Sequence, residues 1–422
     1  MNLQLAKGVR DIPPEEQIVR QRIIETIRNG FESYGFLPLE TPVIERYDVL
    51  ASKYAGGAEI LKETFKLTDQ GKRQLALRYD LTVPLCRFVG MNPTIKMPFK
   101  RYQMGPVFRD GPIKLGRYRE FWQVDADIVG ARSTAAEAEI LSMALRILSN
   151  LELDAFIEVN NRKLLDAVLV KAGVENDRLE DFILSVDKLK KIGVEGVKKE
   201  LEEKGFSTET IDAALAALAV EGTTEEKLSK IEKFVDDKEG IEELREVFES
   251  VNDERIVFNP SLARGLAYYT GTVYEAFLKN SEITSSIAAG GRYDRMIGQF
   301  LQTKKEYPAV GISFGLEIIA DAYKLLGRSE KQSVAKVFII PINTRKQCRE
   351  IAEKLRDAGI NTDMDIMGRG ISKNLQYANS LSIPFVVIAG EDELAENKVT
   401  LRDMKTGQQE MLSVEEVIKK LS

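Results

Sequence analysis

No histidine occurs anywhere in this chain of 422 residues. That absence removes Ser-His and Cys-His nucleophile pairs, imidazole general bases and the usual zinc sites together. Cysteine is almost as scarce: Cys86 and Cys348 lie far apart and offer no metal-ligand spacing, so reduced structural thiols are expected and a disulfide framework is not. No apolar run reaches the roughly 18 residues of a membrane span, and the longest, residues 213–220, is alanine-rich and reads as helix. The amino terminus, Met1-Asn2-Leu3-Gln4-Leu5-Ala6-Lys7-Gly8, lacks the apolar core and small-residue cleavage site of a secretory signal, so a cytoplasmic location is expected. Excess positive charge is missing too. The formal net charge of -6 argues against an overall basic nucleic-acid binder while leaving a local basic face open. Chemistry on this chain must therefore rest on fixed charge and positioning.

What is present describes a globular protein of two or three domains, with 44% hydrophobic and 30% charged residues. Ile18, Ile23, Ile24, Ile27 and Phe31 have helical spacing across residues 14–33, with Gly35 just beyond. Strand signals follow at residues 36–43, 64–67, 74–78, 99–108 and 120–129, predicting a mostly antiparallel sheet. Residues 137–151 form an amphipathic helical pattern and 155–159 another strand. Residues 161–251 then turn to Lys, Glu, Leu and Ala with helical periodicity, punctuated near Gly173, Gly193, Gly205 and Gly222. This reads as a helical insertion, because strand signals return at 256–289 and residues 310–325 read as strand then helix. The first domain thus spans 1–326, interrupted by 161–251. After a polar stretch at 327–333, strands and helices alternate (335–340, 345–358, 361–365, 371–381, 385–389), predicting a small α/β domain with parallel neighbours over 334–422. A hairpin around Thr406-Gly407 and a closing helix complete it. The fold class is α+β.

Four stretches concentrate groups able to bind a polar, charged ligand. Leu262-Ala263-Arg264-Gly265-Leu266-Ala267-Tyr268-Tyr269-Thr270-Gly271 joins a cation, glycines and paired tyrosines. The tyrosines can equally be strand core. Lys100 to Pro112 leads into Gly116-Arg117-Tyr118-Arg119-Glu120-Phe121-Trp122-Gln123-Val124-Asp125-Ala126-Asp127, two strands flanking an arginine-rich loop. Guanidinium groups held this way suit a polyphosphate, being planar, permanently charged and bidentate, although an exposed basic hairpin in a salt-bridge network has the same composition. Leu77-Arg78-Tyr79-Asp80-Leu81-Thr82 supplies a carboxylate and a hydroxyl suited to an ammonium group, or a helix cap. Gly290-Gly291-Arg292-Tyr293-Asp294 allows close backbone approach, or marks a plain turn.

Together, and in their order along the chain, these stretches resemble the histidyl-tRNA synthetases among the class II aminoacyl-tRNA synthetases. Lys7-Gly8-Val9-Arg10-Asp11 is similar to their amino-terminal signature and Leu39-Glu40-Thr41-Pro42 to motif 1, which supports a dimer interface. The segment around Arg109 is similar to motif 2, and Gly311-Ile312-Ser313-Phe314-Gly315-Leu316-Glu317-Ile318 to motif 3. The resemblance implies a class II synthetase-like antiparallel sheet with helices, a helical insertion and a carboxy-terminal α/β anticodon-binding domain. It implies a histidine–tRNA ligase, acting as a homodimer on L-histidine, ATP and tRNA(His), with Mg²⁺ beside the nucleotide and no membrane partner. Histidine would be held by Asp80, Thr82, Arg109, Gln123, Asp127, Arg264, Tyr268, Tyr269 and Tyr293. ATP would meet Arg109, Arg117 and Glu317, with Arg109 and Arg264 catalytic and the metal ligands unassigned. Arg345, Lys346 and Arg349 would face tRNA phosphates, or form a solvated helix face.

The chain departs from the family pattern at three positions. Gly111 stands where motif 2 usually has Glu, Ala267 where the tyrosine stretch usually has Asp, and Ile318 where motif 3 usually has Arg. These departures keep two alternatives open: a non-catalytic, histidine-sensing regulatory subunit of ATP phosphoribosyltransferase, and a tRNA-binding sensor without adenylation. The final α/β domain speaks against the regulator.

Overall fold

The computed structural model describes residues 3–51, 61–113, 118–264, 268–328 and 333–422. The helix Pro14–Ser33 opens on proline with Glu15 and Glu16 in its first turn, where a missing N–H costs nothing and negative charge complements the helix dipole. Ile23, Ile27 and Phe31 are fully buried along one face. Gly35, at φ +75°, ends it, while the Phe36 N–H donates back to the Phe31 carbonyl at 3.1 Å.

The stretch expected as one strand over 36–43 is instead divided. β1 (Leu37–Pro38) lies at the edge of a large sheet, and β2 (Ile44–Arg46) belongs to a small one. Pro38 and Pro42 have no N–H to donate, so continuous ladder pairing through this segment is impossible. The small sheet adds β3 (Lys66–Thr68) and β4 (Gln74–Leu77), in the order β2-β4-β3.

The large sheet contains β1, β5 (Phe99–Phe108), β6 (Glu120–Val129), β7 (Ala155–Asn161), β8 (Ile256–Phe258), β9 (Thr272–Leu278), β10 (Ala288–Arg292) and β11 (Ala309–Gly315). Their order is β1-β5-β6-β11-β10-β9-β7-β8. β1 with β5 and β7 with β8 are parallel, and every other pair is antiparallel. The helix Ala135–Asn150 buries Ile140, Leu141, Ala144 and Leu148. It also buries Glu137, which accepts from Arg292 Nε at 2.6 Å and Nη2 at 2.5 Å. Two opposite charges so placed must stay together, since either alone would be a desolvated ion.

Between β7 and β8 the chain forms the helices Arg162–Lys171, Leu179–Val186, Leu189–Glu203, Thr208–Leu218, Thr224–Phe234 and Glu239–Val251. Gly193 takes φ 71° and ψ 175°, so the helical ladder breaks there as its residue type suggests. Thr223 closes a capping box with Glu226: its hydroxyl accepts from the Glu226 N–H at 3.3 Å, and the carboxylate accepts from the Thr223 N–H at 2.8 Å. Thr223→Ala should destabilise this helix by about 1 kcal/mol, seen as faster hydrogen exchange of amides in Thr224–Phe234.

The second compact unit, which takes in residues 322–422, is built on β12 (Val337–Pro341), β13 (Thr362–Met364), β14 (Phe385–Ala389), β15 (Val399–Asp403) and β16 (Gln409–Leu412). In the order β13-β12-β14-β15-β16 the first two pairings are parallel and the last two antiparallel. Alternation along β12 and β14 divides the core. Val337, Ile339 and Val387 pack with Cys348 and Leu355, while Phe338, Ile340, Val386 and Ile388 pack with Ala378. Cys86 and Cys348 are both buried free thiols. Among the described residues no helix is long and apolar enough to cross a membrane.

Candidate active site

The site grows from one face of β6. Gln123, Asp125 and Asp127 are two residues apart and so project to the same side. Their neighbours on β5 are Gly105, Gln103 and Arg101, and on β11 they are Gly315, Ser313 and Gly311. Small residues opposite large polar ones create the cavity. A Cβ on Gly311 would sit 1.9 Å from Asp127 Oδ1, and one on Gly290 would sit 2.0 Å from the Gly311 carbonyl oxygen. Glycine at these positions is therefore set by close approach, and the paired glycines of residues 290–291 are part of β10 rather than a plain turn.

A cavity of about 220 Å³ results, lined by all nine residues expected to hold the amino acid: Asp80, Thr82, Arg109, Gln123, Asp127, Arg264, Tyr268, Tyr269 and Tyr293. Asp127 is the most constrained. Its Oδ2 lies 2.6 Å from Nη2 of Arg101, a wholly buried guanidinium, and its Oδ1 accepts from the Tyr293 hydroxyl at 2.5 Å. Burial raises its pKa above the ordinary carboxylate range, against the pull of Arg101 and Tyr293. Tyr293 meets Tyr268 edge-on at 6.2 Å, and Tyr268 lies 4.6 Å from Tyr269. Asp80 both caps a helix turn and faces the cavity. Its Oδ1 accepts from the Val83 N–H at 3.0 Å in the first turn of the helix Thr82–Met91, and its side chain lines the cavity. Desolvation pushes its pKa up to about 6, while backbone donors and Arg109 oppose the shift.

A second cavity of about 510 Å³ shares Arg109, Gln123, Arg264, Ala289 and Ser313 with the first. Tyr118, Phe121, Trp122, Glu317 and Ile318 line its other side. The Arg109 guanidinium is anchored where the cavities meet. Its Nε donates to the Tyr79 carbonyl at 3.1 Å, and its Cζ lies 5.0 Å from the Phe121 ring centre. Arg264 stands at the same junction, with Nη1 2.5 Å from Glu275 Oε1 and Cζ 5.8 Å from the Tyr269 ring. Burial works against its charge, yet Tyr269, Glu275 and Tyr268 hold its pKa above the ordinary arginine value. Glu317 Oε1 accepts from the Trp122 N–H at 3.3 Å. Arg117 and Ala267 lie outside the described residues.

Four residues of the site are not foreseen from sequence: Arg101, Asp125, Glu275 and Glu63. Asp125 was legible in principle, because it alternates with Gln123 and Asp127. Glu275 supplies the carboxylate beside Arg264 from β9, 11 residues along the chain. At motif 2, Asp110 pairs with Arg119 at 2.9 Å, whereas the Glu63 carboxylate fills the space beside Gly111, 2.6 Å from where a Cβ would stand. Among the described residues no group of three or more acidic or thiol side chains forms a metal cage.

Family models described as histidyl-tRNA synthetase and anticodon binding domain match residues 8–319 and 336–422. A histidine–tRNA ligase 1 of Bacillus cereus is 47% identical over 414 residues, covering 96% of this chain and 94% of that protein. The crystal structure of a histidyl-tRNA synthetase from Nostoc sp. PCC 7120 superimposes with a TM-score of 0.88 at 30% identity, covering 100% of this chain and 99% of that one. A structure titled as an ATP phosphoribosyltransferase regulatory subunit/histidyl-tRNA synthetase from Bacillus halodurans C shares the fold, with a TM-score of 0.76 at 19% identity over 92% of this chain and 99% of that one.

Proposed function

Since the chain belongs to the histidyl-tRNA synthetase family, we propose that its two adjoining cavities carry out the first step of a histidine–tRNA ligase. The enzyme is an aminoacyl-tRNA synthetase that uses ATP. The smaller cavity receives L-histidine and the larger one receives ATP. One observation carries this reading: Arg109 and Arg264 line both cavities, at the place where a carboxylate and an α-phosphate would meet.

The carboxylate of histidine attacks the α-phosphorus, an oxygen–phosphorus bond forms, and pyrophosphate leaves in line with its electron pair. No protein base is required, because the nucleophile is already ionised, and a chain without histidine is suited to this chemistry. Arg109 and Arg264 hold the two anions together and stabilise charge on the equatorial oxygens. Asp80 and Thr82 orient the amino group, with Gln123 beside them. Asp127, Tyr269, Tyr268 and Tyr293 present the polar wall that selects the imidazole, whose absence in a competitor would leave buried groups unpaired. Phe121 and Ile318 offer apolar surface to the adenine ring, and by resemblance Arg117 would meet the terminal phosphates.

Mg²⁺ usually binds through one or two carboxylates and the substrate phosphates rather than a protein cage. Glu317, whose carboxylate lines the larger cavity, fits that role. The ion would supply charge neutralisation at the triphosphate.

The activated histidine passes to the terminal adenosine of tRNA(His). Residues 334–422, with Arg345, Lys346 and Arg349 on the helix Arg345–Asp357, would read the anticodon arm, while residues 161–251 would meet the acceptor stem. A cytoplasmic homodimer joined through the motif 1 segment completes the proposal. The similarity to histidine–tRNA ligases over nearly the full length favours the enzyme over the regulatory subunit.

The test is exchange of labelled pyrophosphate into ATP. Exchange that depends on L-histidine, followed by charging of tRNA(His), is expected. Folded protein that binds histidine without exchange would instead be the regulator or sensor.

A further inference from the structure

Three buried acceptors of residues lining the smaller cavity make no hydrogen bond; Asp127 Oδ2 is ion-paired to Arg101, which leaves two without a protein donor. Among the described residues none reaches Asp125 Oδ1 or Gln123 Oε1, although both atoms are shielded from solvent. A buried acceptor in this state is costly unless a ligand donates to it. The two belong together, two positions apart on the same face of β6, and both side chains line the cavity.

The charges around Asp125 define the donor. Arg101, the nearest wholly buried cation, sits on Asp127 at 2.6 Å. Arg78, whose charge also acts on Asp125, donates to the Thr41 carbonyl at 2.8 Å and the Pro106 carbonyl at 2.9 Å. Across the sheet Ser313 gives Asp125 a hydroxyl, and that same oxygen accepts from Gln123 Nε2 at 3.3 Å. Asp80 and Asp127 add further negative charge. Three carboxylates thus act on one another here, and Asp125 is only 4% exposed. Two acceptors lining one cavity call for a donor with at least two N–H bonds on a compact centre. An ammonium has three, whereas each imidazole nitrogen has at most one.

Resting on the reading of this cavity as the amino-acid site, we propose that Asp125 is a further substrate-binding residue, which together with Gln123 receives the α-ammonium group of histidine. Asp125 thereby joins Asp80 and Thr82, while Asp127, already tied to Arg101 and Tyr293, keeps its role at the imidazole. Burial, opposed by Arg101, pushes the Asp125 pKa up to about 7. The cation-binding, ionised form is accordingly full above that value and is lost as the pH falls through it.

Equilibrium binding of L-histidine and of 3-(imidazol-4-yl)propionate, which lacks the ammonium, tests this on the full chain. In Asp125→Asn, histidine should bind about 10- to 100-fold more weakly, with the propionate and the KM for ATP unchanged. Equal weakening of both ligands, or no weakening of histidine, would overturn the assignment. The pH dependence gives a second measurement: histidine affinity of the parent chain relative to Asp125→Asn should fall as pH drops from 8 to 6.5. The same ligand is compared on both sides, so its own titration cancels in that ratio, and a flat ratio counts against the proposal. Pyrophosphate exchange by the same preparation separates the two conclusions. Its absence removes the enzyme reading, whereas exchange alongside an unaltered Asp125→Asn removes only this one.

Discussion

Arg264→Ala should form histidyl-adenylate roughly 10²- to 10³-fold more slowly than the parent chain, with histidine affinity changed far less. The reasoning starts from charge. As carboxylate and α-phosphate combine, negative charge concentrates on oxygens that neither ground-state reactant holds so close together. A fixed cation at that point stabilises the transition state more than it stabilises either bound substrate. Arg264 is fixed: its guanidinium lies 2.5 Å from Glu275 and beside the Tyr269 ring. Glu275→Gln, which keeps a hydrogen bond but removes the charge, should cost about tenfold in the same step through looser orientation. Single-turnover adenylate formation and equilibrium histidine binding provide the comparison. Equal losses in rate and affinity would make Arg264 a substrate holder and nothing more.

The Arg264–Glu275 pair illustrates what sequence could and could not reveal. Ala267 stands where the family pattern usually has Asp, and β9 brings the Glu275 carboxylate to Arg264 from later in the same stretch. Long periodic elements were legible. β5, β6 and β14 and the helix Pro14–Ser33 carry their own apolar pattern and have the expected limits. The segment at 36–43 was not, because β propensity outvoted two prolines whose missing donors decide the matter. Pairing between strands distant in sequence was equally hidden. Nothing in the local pattern tells that Arg101 lies opposite Asp127 or that Gly311 must be glycine, since both facts come from register across β5, β6 and β11. Glu63 is the same case: its approach to Gly111 depends on a segment nearly fifty residues away in sequence.

Arg101→Met should be the most damaging substitution for the folded state, lowering the stability of the unit that contains it by about 3–5 kcal/mol. Arg101 is fully buried, and its removal leaves Asp127 shielded from water without its cation. Asp127 must then protonate, because burial already raises its pKa and Arg101 is the first influence holding it down. A protonated Asp127 accepts less strongly and donates where it formerly accepted, so histidine selection should fall with stability. The double variant Arg101→Met with Asp127→Asn separates these effects. Without a buried charge it should regain most of the lost stability, while discrimination between histidine and other amino acids in pyrophosphate exchange stays poor. Denaturant midpoints and exchange specificity, read on both variants, check the two halves independently. If the double variant recovered selectivity along with stability, the Asp127 carboxylate would be a structural partner of Arg101 and the imidazole would be chosen by the tyrosines alone.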